Sequence, residues 1–169
     1  MIYYLDQLAS LCKQEPIQTK VVFVPSLQVG YHITTALAST GQPWANLHLT
    51  TPIDWVRQST VPQVQAEGWT PLLPNYDLFF IAALVEETLE KEQATYFSNT
   101  TARADLARAF LGTFQELRLA GVRPEDIGDG EAAKIRELSM CYRAYVEYLQ
   151  TQKYYDDAYL FARAIDDLS

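Results

Sequence analysis

The residues of this chain that could carry chemistry are two histidines, two cysteines and two adjacent pairs of aspartates. His32 and His48 have no carboxylate or thiol at ligand spacing, so a structural role is favoured over a catalytic one. The pairs Asp156-Asp157 and Asp166-Asp167 are each adjacent in sequence, which directs their side chains to different sides of a helix. Helix caps and solvated faces therefore explain these pairs better than paired catalytic carboxylates. An enzyme with a site at His32 or His48 is the weakest hypothesis.

The cysteines and glycines predict no cofactor chemistry. Cys12 and Cys141 lack CxxC spacing and a nearby histidine, so both are expected to be small buried hydrophobes rather than metal ligands or a redox pair. No segment reads GxxxxGK[ST], and Gly30, the one glycine near a strand-to-helix junction, has no lysine to reach a phosphate. We therefore expect the chain to bind no ATP and to need no cofactor.

The composition bears on partners and location. A formal net charge of -8 and a pI near 4.7 argue against strong independent binding to a phosphate backbone, which requires clustered lysine and arginine. The sequence starts without a basic segment followed by a long apolar run, so neither a signal peptide nor a transmembrane helix is expected. With only two cysteines, a cytoplasmic location and no membrane partner are predicted.

The first part of the chain has the pattern of alternating strands and helices. An unbroken apolar run, Val21–Val24, predicts a strand covered on both faces, and Pro25 ends it. A helical pattern, Val29–Thr40, stops at Gly41 and is followed by a second predicted strand, Leu47–Thr50. Two strands joined by one helix predict a parallel βαβ unit. A helix before it is predicted from the apolar repeat Ile2, Leu5, Leu8, Ala9 and Cys12.

The remainder has only helical periodicity. A connector without periodicity, Thr60–Pro74, contains three prolines and precedes four predicted helices. These are Tyr76–Gln93 capped by Asn75, a helix capped by Thr100 or Thr101 that ends at Gly121, a helix from about Glu131 to Gln150, and Asp157–Leu168 capped by Asp156. Inward positions include Val29, Phe79 and Ile135, and four tyrosines at helical intervals predict packing: Tyr142, Tyr145, Tyr148 and Tyr159. The predicted class is α/β plus α, with domains 1–74 and 75–169.

The order of several motifs resembles one protein family. Val24-Pro25-Ser26-Leu27-Gln28, a helix and then Asn46-Leu47-His48-Leu49-Thr50-Thr51-Pro52-Ile53-Asp54-Trp55 are similar to the amino-terminal region of AddB/RexB-type subunits of bacterial helicase-nucleases. Further motifs occur in the order of that family's helical insertion: Ala104-Asp105-Leu106-Ala107, residues 114–127, Lys134-Ile135-Arg136-Glu137-Leu138, Tyr142-Arg143-Ala144-Tyr145 and Tyr154-Tyr155-Asp156-Asp157. The resemblance covers nearly the whole chain.

The resemblance implies part of a superfamily-one, UvrD-like helicase fold, namely a small partial RecA-like unit and a helical insertion. The family's Walker A loop would lie where this chain has Met1-Ile2-Tyr3, and its Walker B strand and its PD-(D/E)xK nuclease would follow Ser169. Two explanations stay open, a truncated piece of a longer protein or a natural paralogue without motor motifs. In either case the chain alone is expected to be non-catalytic, and its parent would be a DNA exonuclease or helicase subunit. The resemblance implies that the strand ends touch a single-stranded backbone through Pro25, Ser26, Gln28, Thr50, Thr51, Trp55 and Arg57.

Two functions from different classes follow. The first is a scaffold and DNA-facing region of a helicase-nuclease in double-strand-break repair and recombination, with the rest of the parent chain, a partner subunit and single-stranded DNA as partners. The second is a protein-interaction module without a nucleic-acid role, which the net charge favours. DNA contact requires Lys20, Arg57 and the strand-end polar residues on one side, whereas an interaction module requires a contiguous apolar patch.

Overall fold

The computed structural model describes residues 2–41, 43–97, 103–128 and 132–167, and within these ranges the chain forms eight helices and four short strands. The chain divides into two compact units, which we call the first unit (Met1–Gln58) and the second unit (Ser59–Ser169). The division falls inside a helix, whereas the sequence predicted a boundary after residue 74. A small parallel sheet followed by helices confirms the coarse class predicted from the sequence.

The first unit contains α1 (Ile2–Gln14), β1 (Lys20–Phe23), α2 (Leu27–Ser39), β2 (Leu47–Thr50) and the start of α3 (Pro52–Ala66). The two strands are parallel, with Lys20 opposite Leu47 and Phe23 opposite Thr50. Gly41 follows α2 with φ +70°, as expected for a left-handed helix end. The predicted strand-helix-strand order is therefore confirmed, with ends that shift by one or two residues.

One face of this sheet is packed against helices, and the other is about half exposed. Cys12 of α1, Leu37 of α2 and Leu47 of β2 form a buried cluster, and Val22 packs against it. The opposite face, which we call the open face, carries Val21, Phe23, His48 and Thr50, because side chains alternate along each strand. Val21 and Phe23 are 47% and 54% exposed. The prediction that β1 is covered on both faces is therefore wrong, because both α1 and α2 contribute to the same side.

The helix α3 corrects a second prediction. The segment expected to be a connector from Thr60 begins as helix, and α3 continues through Pro62 to Ala66. Proline inside a helix loses one backbone hydrogen bond and usually ends or bends it. Here Val56, Thr60 and Val64 recur at four-residue spacing and are all buried. Burial of this helix face outweighs the local preference of Pro62.

The second unit is a helical bundle. Its elements are β3 (Thr70–Pro71), α4 (Pro74–Lys91), α5 (Arg103–Leu119), α6 (Pro124–Ile127), α7 (Ala133–Gln152), β4 (Tyr154–Tyr155) and α8 (Asp157–Asp166). α4 packs against α5 and α7, and α5 also packs against α8. The central cluster is formed by Ile81, Val85, Leu89, Ala107, Phe110, Phe114, Cys141, Tyr142, Tyr145 and Leu149. The short parallel pairing of β3 with β4 was not predicted.

Helix ends confirm some predicted caps and correct others. α4 begins with Pro74 at its first position after Leu73, which makes no side-chain cap, so the prediction that Asn75 caps this helix is wrong. Proline supplies the helical φ and has no N–H to satisfy, which explains the earlier start. Gly121 after α5 has φ +72°, as expected for a left-handed end. Thr100 and Thr101, the predicted caps of α5, lie outside the described residues.

Three predicted inward positions are exposed. Phe79 on α4 is 84% exposed, and Val29 on α2 and Ile135 on α7 are also exposed. Each lies at the margin of an apolar stripe, where helical periodicity alone does not decide burial. By contrast, Tyr142 and Tyr145 are fully buried, and both cysteines are buried as predicted.

Candidate functional site

The predicted DNA-facing residues gather where β1 and β2 end, which we call the strand-end edge. The Val24 N–H donates to the Thr50 carbonyl at 2.9 Å, so the carboxyl ends of both strands meet at one edge. Pro25 is exposed directly after Val24. In open α/β sheets, ligands bind outside the carboxyl ends of the strands. By this rule, the strand-end edge is the candidate ligand site of the first unit.

Ser26 fixes the start of α2. Its backbone is extended and its Oγ accepts a hydrogen bond from the Val29 N–H at 3.3 Å. Gln28 is exposed in the first turn of α2. Gly30 allows α2 to approach the sheet closely, since a Cβ at this position would lie 3.3 Å from the Leu49 Cβ. The chain therefore passes from strand to helix through a short, hydrogen-bonded junction rather than a wide phosphate-binding loop.

Thr51 plays the same role at the start of α3. Its Oγ1 accepts from the Asp54 N–H at 3.2 Å and donates to the Asp54 Oδ2 at 2.6 Å. The Thr50 hydroxyl donates to the Thr51 carbonyl at 3.2 Å. These hydroxyls are already engaged in local hydrogen bonds. The edge can offer polar contacts to a ligand, but its hydroxyls are placed as caps rather than as activated nucleophiles.

An aromatic pair extends the strand-end edge onto the open face. The Trp55 ring meets the Phe23 ring edge to face, with centroids 5.9 Å apart. Trp55 is half-buried and Arg57, two residues further along α3, is exposed. Six of the seven predicted contact residues thus lie at the ends of the strands or in the first turn of the following helix, and Arg57 lies one turn beyond.

Lys20 does not join them. It lies at the amino end of β1 and is buried, and its Nζ donates to the Gln18 carbonyl at 2.6 Å and to the Ala45 carbonyl at 3.5 Å. Arg57 follows the carboxyl end of β2. Lys20 therefore lies at the end of β1 away from the strand-end edge, and its ammonium is enclosed there. The sequence pattern could not reveal this, because the carbonyls that hold Lys20 come from two separate loops.

The histidines of the described ranges belong to no metal-binding cluster. His32 and His48 are both exposed, one on α2 and one on β2. Among the residues that the structure describes, no group of three or more His, Cys, Asp or Glu side chains is placed to hold a metal ion. Over the same residues, no helix combines the length and the apolar character needed to cross a membrane.

An ion pair that the sequence analysis missed anchors α8. The Arg118 Nε and Nη2 donate to Asp156 Oδ2 and Oδ1 at 2.6 and 2.9 Å, and both side chains are largely buried. Burial lowers the pKa of Arg118, but the hydrogen bonds and charge of the Asp156 carboxylate raise it by more, so the net shift of the pKa is upward. Asp156 Oδ1 also accepts from the Tyr159 N–H at 2.9 Å, which confirms the predicted cap.

Glu137 is a second buried carboxylate that the sequence analysis did not single out. Its Oε1 accepts from the N–H groups of Thr95 and Tyr96, both at 2.8 Å, and its Oε2 accepts from that of Phe97 at 2.9 Å. Burial raises the pKa of Glu137, but these backbone donors lower it, and the net shift is downward. The carboxylate thus holds the segment after α4 onto α7. A glutamate in an apolar stripe was the only available sequence signal.

The second unit also contains a cleft that the sequence analysis missed. It has a volume of about 640 Å³ and lies among α5, α7 and α8. Its aromatic wall includes Trp69 and Tyr159, with ring centroids 4.3 Å apart. Two arginines line it, but Arg118 pairs with Asp156, and Arg123 lies within 3.5 Å of Asp126. The cleft is mainly apolar, and carboxylates accompany both of its cations.

Comparison of the sequence with models of known protein families, with curated proteins and with solved structures finds no match. A function has therefore to be inferred from the strand-end edge, the open face and the distribution of charge.

Proposed function

We propose that the chain is a non-catalytic scaffold and DNA-facing region of a bacterial helicase-nuclease that acts in double-strand-break repair and recombination. In this proposal the first unit is a piece of a RecA-like domain and the second unit is the helical insertion. The rest of the parent chain and a partner subunit supply the ATPase and nuclease chemistry. The observation that carries the proposal is the parallel strand pair whose carboxyl ends both lead into capped helices.

The open face supports the scaffold part of this proposal. Parallel sheets occur almost entirely with both faces covered, because their connections place helices on the faces. The sheet of the first unit has two strands, one covered face and an exposed Val21 and Phe23 on the other. An isolated two-stranded sheet is marginally stable in water and depends on the elements packed against its faces. Additional protein against this face would complete the arrangement.

The junction between β1 and α2 supports the non-catalytic part. A phosphate-binding loop needs several backbone N–H groups that point at the ligand and a lysine that reaches it. Here Ser26 occupies the N–H of Val29, and the junction holds three residues between Phe23 and Leu27. Millimolar Mg-ATP should therefore leave the thermal unfolding temperature unchanged, and a saturable increase would contradict the proposal.

Photo-crosslinking tests the DNA-facing part. The chain is mixed at low ionic strength with single-stranded oligothymidylate that carries 4-thiothymidine, irradiated and analysed by mass spectrometry. We expect crosslinks at Trp55 and in the peptide that contains Pro25 and Gln28. Arg57→Ala should weaken binding, whereas Lys13→Ala, a matched exposed cation on α1, should not. Crosslinks confined to the second unit, or equal effects of the two variants, would contradict the proposal.

A protein-interaction module without a nucleic-acid role is the second candidate, and the position of Lys20 favours it. With Lys20 enclosed at the far end of β1, Arg57 has no cationic neighbour from that strand. Attraction to a phosphate backbone grows with the number of clustered cations, so one arginine contributes little. If no specific crosslink forms at any ionic strength while the open face binds protein, this second function replaces the first.

A further inference from the structure

β1 pairs with β2 along one side, and we call its other side the free edge. The Lys20 N–H donates to the Asn46 carbonyl at 2.8 Å, and the Val24 N–H donates to the Thr50 carbonyl at 2.9 Å. Backbone groups of successive residues in a strand point to opposite sides, so Val22 also faces β2. The N–H and C=O groups of Val21 and Phe23 therefore point away from β2, toward the free edge.

These outward groups have no backbone hydrogen-bond partner among the described residues. Within the described ranges, no hydrogen bond joins the Val21 or Phe23 amide to a loop or helix. Both side chains are also about half exposed, on the open face. Natural edge strands are usually protected by an exposed lysine, a proline or a bulge. In β1 the only lysine is Lys20, whose ammonium is enclosed, and Pro25 lies beyond the strand.

The free edge of β2 is different. By the same alternation, Leu47 and Leu49 direct their backbone groups away from β1. Their side chains belong to the covered face, where Leu47 is buried with Leu37 and Leu49 packs against the same cluster. A strand added beside β2 would find no exposed apolar side chain on the neighbouring edge residues. Of the two edges of this sheet, the β1 edge is the one where unpaired backbone groups and exposed apolar side chains coincide.

We propose that the free edge of β1 receives an extended segment of a partner protein, which pairs with β1 as a third strand. A strand is the only element that presents a matching row of N–H and C=O groups to a sheet edge. The segment carries apolar residues on the side that faces Val21 and Phe23. It is uncharged, because the first unit contains three basic and three acidic residues and so offers no net attraction to either sign. This inference rests on the scaffold role proposed above.

Amide hydrogen exchange measured by NMR on the full chain tests the edge before any partner is added. We expect alternation along four consecutive residues, with fast exchange at Val21 and Phe23 and slow exchange at Val22 and Val24. Slow exchange at all four positions in a monomeric chain would mean that the edge is already covered. That result would overturn the proposal.

A peptide probe tests the partner. The probe is a short synthetic peptide of alternating valine and threonine, with one terminal lysine and one terminal glutamate for solubility without net charge. It should shift the Val21 and Phe23 amides saturably and slow their exchange by at least about tenfold, as new backbone pairing does. Absence of saturable shifts, or shifts confined to Leu47 and Leu49, would overturn the proposal. Protection that appears without peptide and follows dimer formation in ultracentrifugation would identify a second copy as the occupant, and would also overturn it.

Matched variants separate the edge from the open face. Phe23→Lys and Val21→Lys place a charge beside the free edge and should abolish peptide binding. His48→Lys places the same charge on the open face, but on β2, and should bind the peptide nearly as the natural chain does. Equal loss in all three variants would overturn the edge assignment. Circular dichroism and slow exchange at Val22 verify that each variant is folded. Peptide binding and DNA crosslinking are separate measurements, so either result can fail while the other holds.

Discussion

The two units differ in how many of their apolar side chains they bury. Among described residues, the first unit buries five apolar side chains and exposes nine large ones, whereas the second buries fifteen and exposes six. Burial of apolar surface is the main favourable contribution to folding. The second unit therefore carries its own core, while the first leaves much of its apolar surface exposed. The proposed scaffold role requires an exposed apolar surface of this kind on the first unit.

The two units also differ in net charge. The first unit has three basic and three acidic residues, and the second has ten and eighteen. The entire net charge of -8 therefore belongs to the second unit. Such a surface repels a phosphate backbone and favours solubility. In the proposed function, contact with DNA therefore comes from the neutral first unit.

Core truncations should give the largest contrast. Phe114 and Leu37 are both fully buried, but Phe114 lies in the larger cluster of the second unit. Phe114→Ala should cost about 3–5 kcal/mol of unfolding free energy, and Leu37→Ala about 2 kcal/mol. Denaturant titration followed by circular dichroism measures both. Phe79→Ala, at an exposed position, is the control and should change stability by less than about 0.5 kcal/mol. A greater loss from Leu37→Ala would reverse the comparison of the two cores.

Variants of Asp156 should give the next largest effect, again in the second unit. Asp156→Ala removes the α8 cap and the partner of Arg118, and should cost about 3 kcal/mol. Asp156→Asn can still cap but loses the charge, so it should cost about 1 kcal/mol less. A double-mutant cycle with Arg118→Met measures the coupling of the ion pair. If Asn and Ala were equally destabilising, the cap would contribute nothing.

Glu137 should make the stability of the second unit depend on pH. Glu137→Gln should cost about 2 kcal/mol at neutral pH, because hydrogen bonds to a charged acceptor are stronger than those to an amide. The pKa of Glu137 is lowered in the folded chain, so its contribution is complete above the unfolded value of about 4.3 and is lost as pH falls through the folded pKa. Urea titrations of both proteins from neutral to acidic pH should therefore converge as pH falls through the lowered folded-state pKa of Glu137. A difference that stays constant with pH would contradict the assigned role.

Ser139 should give the smallest effect and the opposite sign. Its hydroxyl is buried on α7 and has no hydrogen-bond partner among the described residues. Ser139→Ala removes an unsatisfied polar group and adds helix propensity, so it should stabilise the chain by up to about 1 kcal/mol. Thermal unfolding measures the change, with the exposed Ser39→Ala on α2 as a control. Destabilisation by Ser139→Ala would indicate a partner for this hydroxyl.

Local signals predicted the parts of the fold that local physics determines. The strand Leu47–Thr50, the cap at Asp156 and the left-handed Gly41 follow from propensity, side-chain hydrogen bonding and backbone freedom within a few residues. The passage of α3 through Pro62 did not follow, because burial elsewhere on the helix decides it. The open face did not follow either, since an apolar run does not tell which of its sides a helix covers.

The candidate site was likewise predictable only in part. The family resemblance implied Pro25, Ser26, Thr50 and Thr51 as contact residues, and the parallel pairing of β1 with β2 brings them to one edge. The enclosure of Lys20 and the pairing of Arg118 with Asp156 depend on residues distant in sequence. A single sequence contains no signal for such contacts. They nevertheless decide which cations remain available to a phosphate.

Each unit contains one buried cysteine, whose rate of modification reports how often that unit opens. Cys12 is buried in the first unit and Cys141 in the second. Burial and the nearby Glu137 charge raise the pKa of the Cys141 thiol to about 12, so it stays protonated and unreactive while the bundle is closed. A thiol reagent can therefore modify each sulfur only when its unit opens. The rates at Cys12 and Cys141, read separately by peptide mass, record how often each half of the molecule unfolds under native conditions.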